Sequence, residues 1–570
     1  MMNEQAYLKQ VRELHQANWP QGVPQTPLYP HGEKPVTEYL AEWARINPNK
    51  PAIHFYGYDL SYAELDELST RFANLLRSYG VQPGDGVTVF MPNCPQFHIA
   101  FFGILKCGAV HIPVSPLSKE MELLHQLGDS QPKVALCLDA LLPIMQPVCE
   151  KLGIEHLLAT SYAELTPANP TATLPDLFLA PKVELAAPIV DFLPAVKTAP
   201  AEPLDYSPGL DDLAALNYTS GTTGLPKGVM HTQRNMLGSM AAYYPAVFGE
   251  VGPEGTDQVM INFLPEFWIA GENTGLLMPI YSGATLVLMA RWDAVAFMEL
   301  VQHYKVNLSI VLVDSVDEIL NHPDKAKYDL SSLNITPCIS FIKKLNHDYR
   351  QRWRALTGTT LFEVAYGMTE THTCDTFTAG FQDDDFDLSI EPAFLGLPVP
   401  GNEIKICDFE TGELLPLGSE GEILVRTPTM MKGYWNKPEV NETLFLDGGW
   451  YRTGDLGMLT EQGYFRYLGR RKEMLKVNGM SVFPTEVEAM LGQHPAVGAC
   501  GVVGRPDEKK GQVPVAFLTL KPGFEETEES LHDWCKGAMA VFKVPEIRIK
   551  DQLPMTPTGK IRKVELEQEV

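Results

Sequence analysis

With 570 residues, 45 % of them hydrophobic and 20 % charged, the chain is too long for one compact core and too apolar to be disordered. Its formal net charge of −26 repels phosphate backbones at long range, which argues against nucleic acid as a partner but leaves nucleotides open, since local donors can hold them. Nine cysteines between Cys94 and Cys535 include no C-x-x-C pair, so neither a zinc framework nor a disulfide scaffold is indicated, and reduced, mostly buried thiols are expected.

The opening MMNEQAYLKQVRELHQ has no apolar signal region and alternates charged and apolar residues as an amphipathic helix does. The longest nearly apolar stretch, FFGILKCGAVHIPV, is interrupted by Lys106 and His111 and is too short to span a bilayer. A cytoplasmic protein without a transmembrane segment is expected, with peripheral membrane contact left open. In SYAELDELSTRFANLLRSYG, Leu65, Leu68, Phe72, Leu75 and Leu76 recur at helical spacing up to Gly80. GDGVTVFMPN then reads as a strand entering a turn, and CPQFHIAFFGILKCG as a buried helix. This alternation predicts an α/β sheet with helices packed on it. Residues 165–210, rich in Pro and Ala, cannot carry one continuous helix and are expected to form a long surface excursion within the first domain.

YTSGTTGLPKG at 218–228 follows an apolar strand, DLAALN, and precedes a helical stretch, HTQRNMLGSMAAYY. Gly221 and Gly224 permit close backbone approach, Thr219, Ser220, Thr222 and Thr223 crowd the loop with hydroxyls, and Lys227 adds positive charge. Such a loop can wrap nucleotide phosphates. It is not a Walker A loop, because G-x-x-x-x-G-K-[ST] cannot be placed on it. A flexible connector would explain its composition but not its setting.

Further on, QDDDFD at 382–387 reads as a solvated acidic loop, and WYRTGDLGMLTEQGYFRYLGR as a hairpin turning at Glu461-Gln462-Gly463. After a shift near residue 470, helix PTEVEAMLGQH, strands VGACGVVG and PVAFLTL, and helix ESLHDWCKGAMAVF predict a small α+β unit.

The loop at 218–228 resembles the phosphate loop of the acyl-adenylate-forming superfamily, which includes acyl-CoA synthetases, peptide-synthetase adenylation domains and beetle luciferases. YGMTE at 366–370, YRTGDLG at 451–457, GRRKEMLKVNGMSVFPTEVE at 469–488 and PMTPTGKIRK at 554–563 follow in that family's order. The resemblance therefore covers nearly the whole chain. It implies an α/β protein: a large N-terminal domain, 1–471, of layered sheets with a small β subdomain, and a mobile C-terminal α+β domain, 472–570.

The chemistry it implies is a ligase that uses ATP, Mg2+ and coenzyme A. A carboxylic acid and ATP give an acyl-adenylate and pyrophosphate, and coenzyme A then gives acyl-CoA and AMP. A carboxylate that attacks the α-phosphorus meets a polyanion, so catalysis is mostly positioning and charge neutralisation. A medium- or long-chain fatty acid is the expected substrate, with an aryl or short branched acid next. A stand-alone enzyme loading a carrier protein, a luciferase-like oxidation and a nucleotide-binding regulator without turnover are the other readings.

Residue by residue, the resemblance implies that Thr219, Ser220, Gly221, Thr222, Thr223, Gly224 and Lys227 hold phosphates, and that Glu370 with Thr219 holds Mg2+. Tyr366, Gly367 and Met368 belong to the nucleotide site, Tyr366 packing on the adenine, and Thr369 bonds a phosphate oxygen. Asp455 accepts hydrogen bonds from the ribose and Arg470 supports the same sugar. Lys560 is the catalytic lysine that bridges the substrate carboxylate and the α-phosphate. Lys472 is the hinge about which the small domain turns, bringing Lys476 to Gly479 to the thiol's entry path. A helix-capping glutamate, a turn-stabilising aspartate and a solvated lysine are the plain alternatives for Glu370, Asp455 and Lys560. Two departures stand out. Ile339, Ser340 and Phe341 replace a Gly-Gly-Ala-like stretch that lines the adenine, and Trp268, in LPEFWIAGE, replaces a histidine near the acyl and thiol channel. Trp268 either lines that channel or packs in the core.

Overall fold

The computed structural model describes residues 3–219, 226–341, 343–364, 366–390, 393–478, 480–507, 509–556 and 560–570. PQFHIAFFGILK has no polar face. It forms the helix Pro95–Lys106, buried on every side up to Leu105, as an all-round apolar helix must be. It lies against the helix Tyr62–Ser78, whose start is fixed by a reciprocal cap between Ser61 and Glu64. Buried residues of these helices and of two sheets make one continuous core.

The first sheet has seven strands in the order Val190–Asp191, His156–Thr160, Val134–Leu138, Gly86–Phe90, Val110–Pro113, Leu213–Tyr218 and Gly228–Thr232. Its neighbours run parallel except for the last pair. The second orders Leu308–Ser309, Val259–Asn262, Thr285–Leu288, Pro51–Phe55 and Tyr58–Ser61. A bridge from Leu308 to Ile335 leads on to a short parallel sheet of Val311–Leu312, Thr336–Ile339 and Leu361–Glu363.

An antiparallel sheet follows, built from Glu403–Cys407, Glu420–Arg426, Phe445–Leu446, Trp450–Leu459 and Phe465–Arg470. The helix Glu4–Ala17 packs Tyr7, Leu8 and Val11 into its core. Beyond the short turn Arg471–Glu473, a last sheet of Leu475–Val477, Met480–Val482, Val497–Asp507, Gly511–Leu520 and Glu546–Ile549 carries the helices Pro484–Leu491 and Glu528–Ala538 over a core of its own. This is the layered α/β and α+β architecture that the sequence implies.

Three expectations need correction. A strand, Gly228–Thr232, stands between the loop at 219–227 and the helix Gln233–Phe248, so the loop joins two antiparallel strands rather than opening a helix. The excursion at 165–210 is not all surface: Ala172 and Phe178 are buried, and Val190–Asp191 and the helix Phe192–Thr198 join the first sheet and its core. QDDDFD is solvated only in part: Asp383 and Asp384 are exposed, but Asp385 and Asp387 are not free in water. Asp387 takes both terminal nitrogens of the buried Arg350 at 2.8 and 2.6 Å, and Asp385 adds a third bond at 2.8 Å.

All nine cysteines are free thiols, and all but Cys374 are buried. No helix among the described residues is long and apolar enough to cross a membrane.

Candidate active site

Thr219 follows the strand Leu213–Tyr218, and its N–H donates to the Lys227 carbonyl at 3.0 Å, closing the loop at its base. Ser220, Gly221, Thr222, Thr223 and Gly224 lie outside the described residues. The Lys227 ammonium sits 4.4 Å from the centre of the Tyr434 ring, and the Tyr434 hydroxyl donates to Glu370 at 2.5 Å. The loop base and the YGMTE segment thus meet through one tyrosine that sequence reasoning missed.

Glu370 occupies a single turn, Thr369–Thr371, not the start of a long helix, so the capping alternative loses its helix. A single carboxylate offers few hard oxygen donors. It suits an ion that stays mainly on phosphate oxygens and water. The chain doubles back after this turn through three consecutive non-glycine residues at positive φ: His372, Thr373 and Cys374 at 59°, 52° and 61°. Such a run is uncommon and costs backbone energy. It brings the Cys374 N–H so near Gly367 that a Cβ there would stand 2.4 Å from it, which explains a glycine beside Tyr366 and Met368.

Asp455 lies within the strand Trp450–Leu459, not in a turn. It pairs with Arg470 across the antiparallel register, and its two oxygens accept from the Arg470 Nε at 2.9 Å and the Tyr366 hydroxyl at 2.8 Å. Burial pushes the Asp455 carboxyl above its usual range, while Arg470 and Tyr366 pull it back. Asp455 in turn holds the Arg470 guanidinium above its ordinary value. Tyr366 is nearly buried, edge-on to Phe465 at 5.4 Å.

Lys560 reaches this group from the last sheet's side of the molecule. As a residue it keeps contact with solvent, but its ammonium is crowded. Removal from water, and then Arg470, hold its pKa below the ordinary lysine value against the pull of Asp455 and Glu473. The ammonium stands 5.3 Å from the centre of the Phe341 ring. Phe341 packs on Trp268, ring centres 5.4 Å apart, and Trp268 is half-buried. Ile339 ends the strand Thr336–Ile339, and the Ser340 hydroxyl donates to Glu363.

Lys472 sits in the turn Arg471–Glu473 between the antiparallel sheet and the last sheet. Lys476 lies in the strand Leu475–Val477, its N–H donating to the Gln512 side chain at 2.8 Å. Gly479 lies outside the described residues. The structure therefore groups Lys227 with Glu370 through Tyr434, Tyr366 with Asp455 and Arg470, and Lys560 with Phe341 and Trp268, and electrostatic influences of Glu370 on Arg470 and of Asp455 on Lys560 link the three groups.

Behind Thr369 runs a buried polar chain with no local sequence signal. The His231 Nε2 bonds the Thr369 carbonyl at 2.7 Å, and its Nδ1 lies 3.2 Å from the Asn217 oxygen. Asn217 donates to Glu272 at 2.7 Å, and the His372 ring stands 3.3 Å from the other Glu272 oxygen. Asp375, also buried, accepts from Thr371 at 2.6 Å and from Asn402 at 3.1 Å, and burial pushes its carboxyl up to about 7.

Comparison with known proteins identifies the family. Residues 40–435 match the AMP-binding enzyme family, and residues 486–560 match the AMP-binding enzyme C-terminal domain. The long-chain-fatty-acid–CoA ligase of Bacillus subtilis (strain 168) is 32 % identical over 563 residues, 97 % of each chain. The 4-coumarate–CoA ligase 1 of Petroselinum crispum is 30 % identical over 511 residues, 90 % of this chain and 89 % of its own. The crystal structure of an anthranilate CoA ligase in complex with anthranoyl-AMP superimposes with a TM-score of 0.80 at 27 % identity, covering 95 % of this chain and 98 % of that one. This chain belongs to the AMP-binding enzyme family, within the acyl-adenylate-forming superfamily.

Proposed function

We propose that the chain is an AMP-forming acid–thiol ligase that uses ATP to activate a carboxylic acid and passes the acyl group to coenzyme A. The observation that carries this reading is the buried Asp455 held by Arg470 and Tyr366, with the Lys560 ammonium within electrostatic reach of Asp455 and Arg470. A buried carboxylate with two donors already fixed on it is preorganised to receive ribose hydroxyls. A partly desolvated ammonium within electrostatic reach of it is suited to meet charge that develops on the α-phosphate.

In this reading Lys227 and the hydroxyls of Thr219, Ser220, Thr222 and Thr223 bind phosphate oxygens, with Gly221 and Gly224 letting the backbone approach. Thr369 adds one more donor. Glu370, with the Thr219 hydroxyl, would hold Mg2+, which supplies charge neutralisation at the phosphates. Lys560 orients the acid's carboxylate against the α-phosphorus. The small domain, 472–570, then turns about Lys472, withdrawing Lys560 and bringing Lys476 to Gly479 to the thiol path, so that two half-reactions share one site. The turn Arg471–Glu473, standing between two separately cored sheets, supports that boundary.

A medium- or long-chain fatty acid is the leading substrate, in line with the relatives named for it. An aryl acid is the second reading, favoured by the ring pair of Trp268 and Phe341 at the edge of the site. Nine free thiols support a reducing compartment, the cytoplasm. The test is a panel of acids assayed for ATP–pyrophosphate exchange and for AMP release with and without coenzyme A. Acid-dependent exchange with AMP release that requires coenzyme A is the expected result. Exchange absent for every acid would leave a nucleotide-binding protein without turnover, and AMP release indifferent to coenzyme A would point to another acceptor.

A further inference from the structure

Phe341 stands where the superfamily resemblance implies a glycine-like stretch, and its ring has two neighbours that explain a side chain there. The Lys560 ammonium is 5.3 Å from the ring centre, inside the distance at which the negative face of an aromatic ring attracts a cation. Trp268 meets the same ring at 5.4 Å with the planes tilted by 48°, an arrangement that aromatic pairs favour and that limits how far the ring can swing. Around Lys560 the charges are mixed: Arg470 and Lys344 oppose its ammonium, and Asp455 and Glu473 support it. A flexible lysine among two cations and two anions has several places to go, and a ring face adds a fixed seat that carries no charge to compete with phosphate.

We propose that Phe341 is a positioning residue for Lys560: its ring, braced by Trp268, seats the ammonium of the C-terminal segment against the large unit in the arrangement that forms the acyl-adenylate. This rests on the reading of Lys560 as the charge that adenylation needs. It gives the Ala-to-Phe departure at this position a purpose beyond filling space. An alanine at 341 would offer Lys560 no face, and a larger aliphatic side chain would offer bulk without the quadrupole. The seat matters only while Lys560 is at the site, so the second half-reaction should not feel its loss.

The experiment compares Phe341→Leu, which keeps most of the bulk but not the ring, with Phe341→Tyr, which keeps the ring face. Each is measured for acyl-adenylate formation in single turnover and, separately, for thioester formation from supplied acyl-adenylate and coenzyme A. Phe341→Leu is expected to slow adenylate formation by about 3- to 30-fold, the range a ring–cation contact covers, while thioester formation from supplied acyl-adenylate is slowed far less. Phe341→Tyr is expected to stay within about twofold of the parent, as ring-preserving rescue requires. Phe341→Met, with melting curves on all samples, stands in if the leucine variant folds poorly. Equal losses in both half-reactions, a tyrosine variant as slow as the leucine one, or an unaffected leucine variant would each overturn the proposal. Lys560→Ala run in parallel separates the two failures. If adenylation survives it, the role given to Lys560 falls; if adenylation is lost there but not in Phe341→Leu, only the seat falls.

Discussion

Asp455 and Arg470 face each other across one antiparallel strand pair, with the carboxylate 2.9 Å from the guanidinium Nε and the Tyr366 hydroxyl on its other oxygen. Two neighbouring strands and the Tyr366 segment, 89 residues before Asp455, thereby converge on one buried carboxylate. Asp455→Ala removes the acceptor that orients both donors. Hydrogen bonds to charged groups contribute about 1.5–3 kcal/mol, so nucleotide affinity should fall about 10- to 100-fold, with a smaller loss of thermal stability because the Arg470 side chain is partly open to solvent. Titration calorimetry with ATP checks this. Unchanged affinity together with retained turnover would reduce Asp455 to a strand residue that pins Arg470.

Lys560→Ala should abolish adenylate formation and spare thioester formation from supplied acyl-adenylate. The motive is the electrostatic influence of Asp455 and Arg470 on its ammonium and a second half-reaction that no longer needs that charge. Removing one donor aimed at developing negative charge costs about 10²–10³ in rate. Separate assays of the two half-reactions on a correctly folded variant decide it, and a parallel loss in both is the outcome that the assignment does not survive.

The motif residues were legible because each motif is consecutive in sequence and its chemistry depends on residue type. What joins the motifs was not. Asn217 and Glu272 are 55 residues apart and His231 and Thr369 are 138 apart, so nothing local announces that they form one chain behind the nucleotide segment. Arg350 lies 35 and 37 residues before Asp385 and Asp387; without it, QDDDFD has the composition of a solvated loop. The strand Gly228–Thr232 escaped because five residues with a histidine and a glycine carry little periodicity, and its identity comes from pairing with Leu213–Tyr218. Asp455 read as a turn residue because Thr-Gly-Asp is turn-like in composition, while the register against Arg470 is a tertiary fact.

Asp375 gives a pH signature. Burial pushes its carboxyl up to about 7, with Glu370 adding repulsion and the Thr371 hydroxyl opposing. A carboxyl raised on folding binds its proton more tightly in the native chain, so its contribution to stability is complete below the usual carboxylate range. That contribution is lost as pH rises from about 4 towards 7. Thermal unfolding followed over this interval should show a falling term that Asp375→Asn removes. An identical slope in the variant would place its origin in other groups.

Trp268 decides between a channel wall and core packing. Its indole is half-buried, and it rests on Phe341 rather than within the main core. An indole cannot relay a proton as imidazole does, but it offers a broad apolar face with one N–H donor. A fully buried tryptophan cut back to alanine would cost about 3–5 kcal/mol; one with a face still open to solvent should cost less. Trp268→Ala is therefore expected to keep the fold with a modest drop in melting temperature and to shift acid preference towards bulkier acids. The same change frees the Phe341 ring, so adenylate formation should slow for every acid while the order of preference changes as well. Measuring kcat/KM across an acid series beside thermal unfolding separates these effects. A common slowing with an unaltered order of acids would leave Trp268 as a brace for Phe341 alone, and a large loss of stability with the order unaltered would return it to the core.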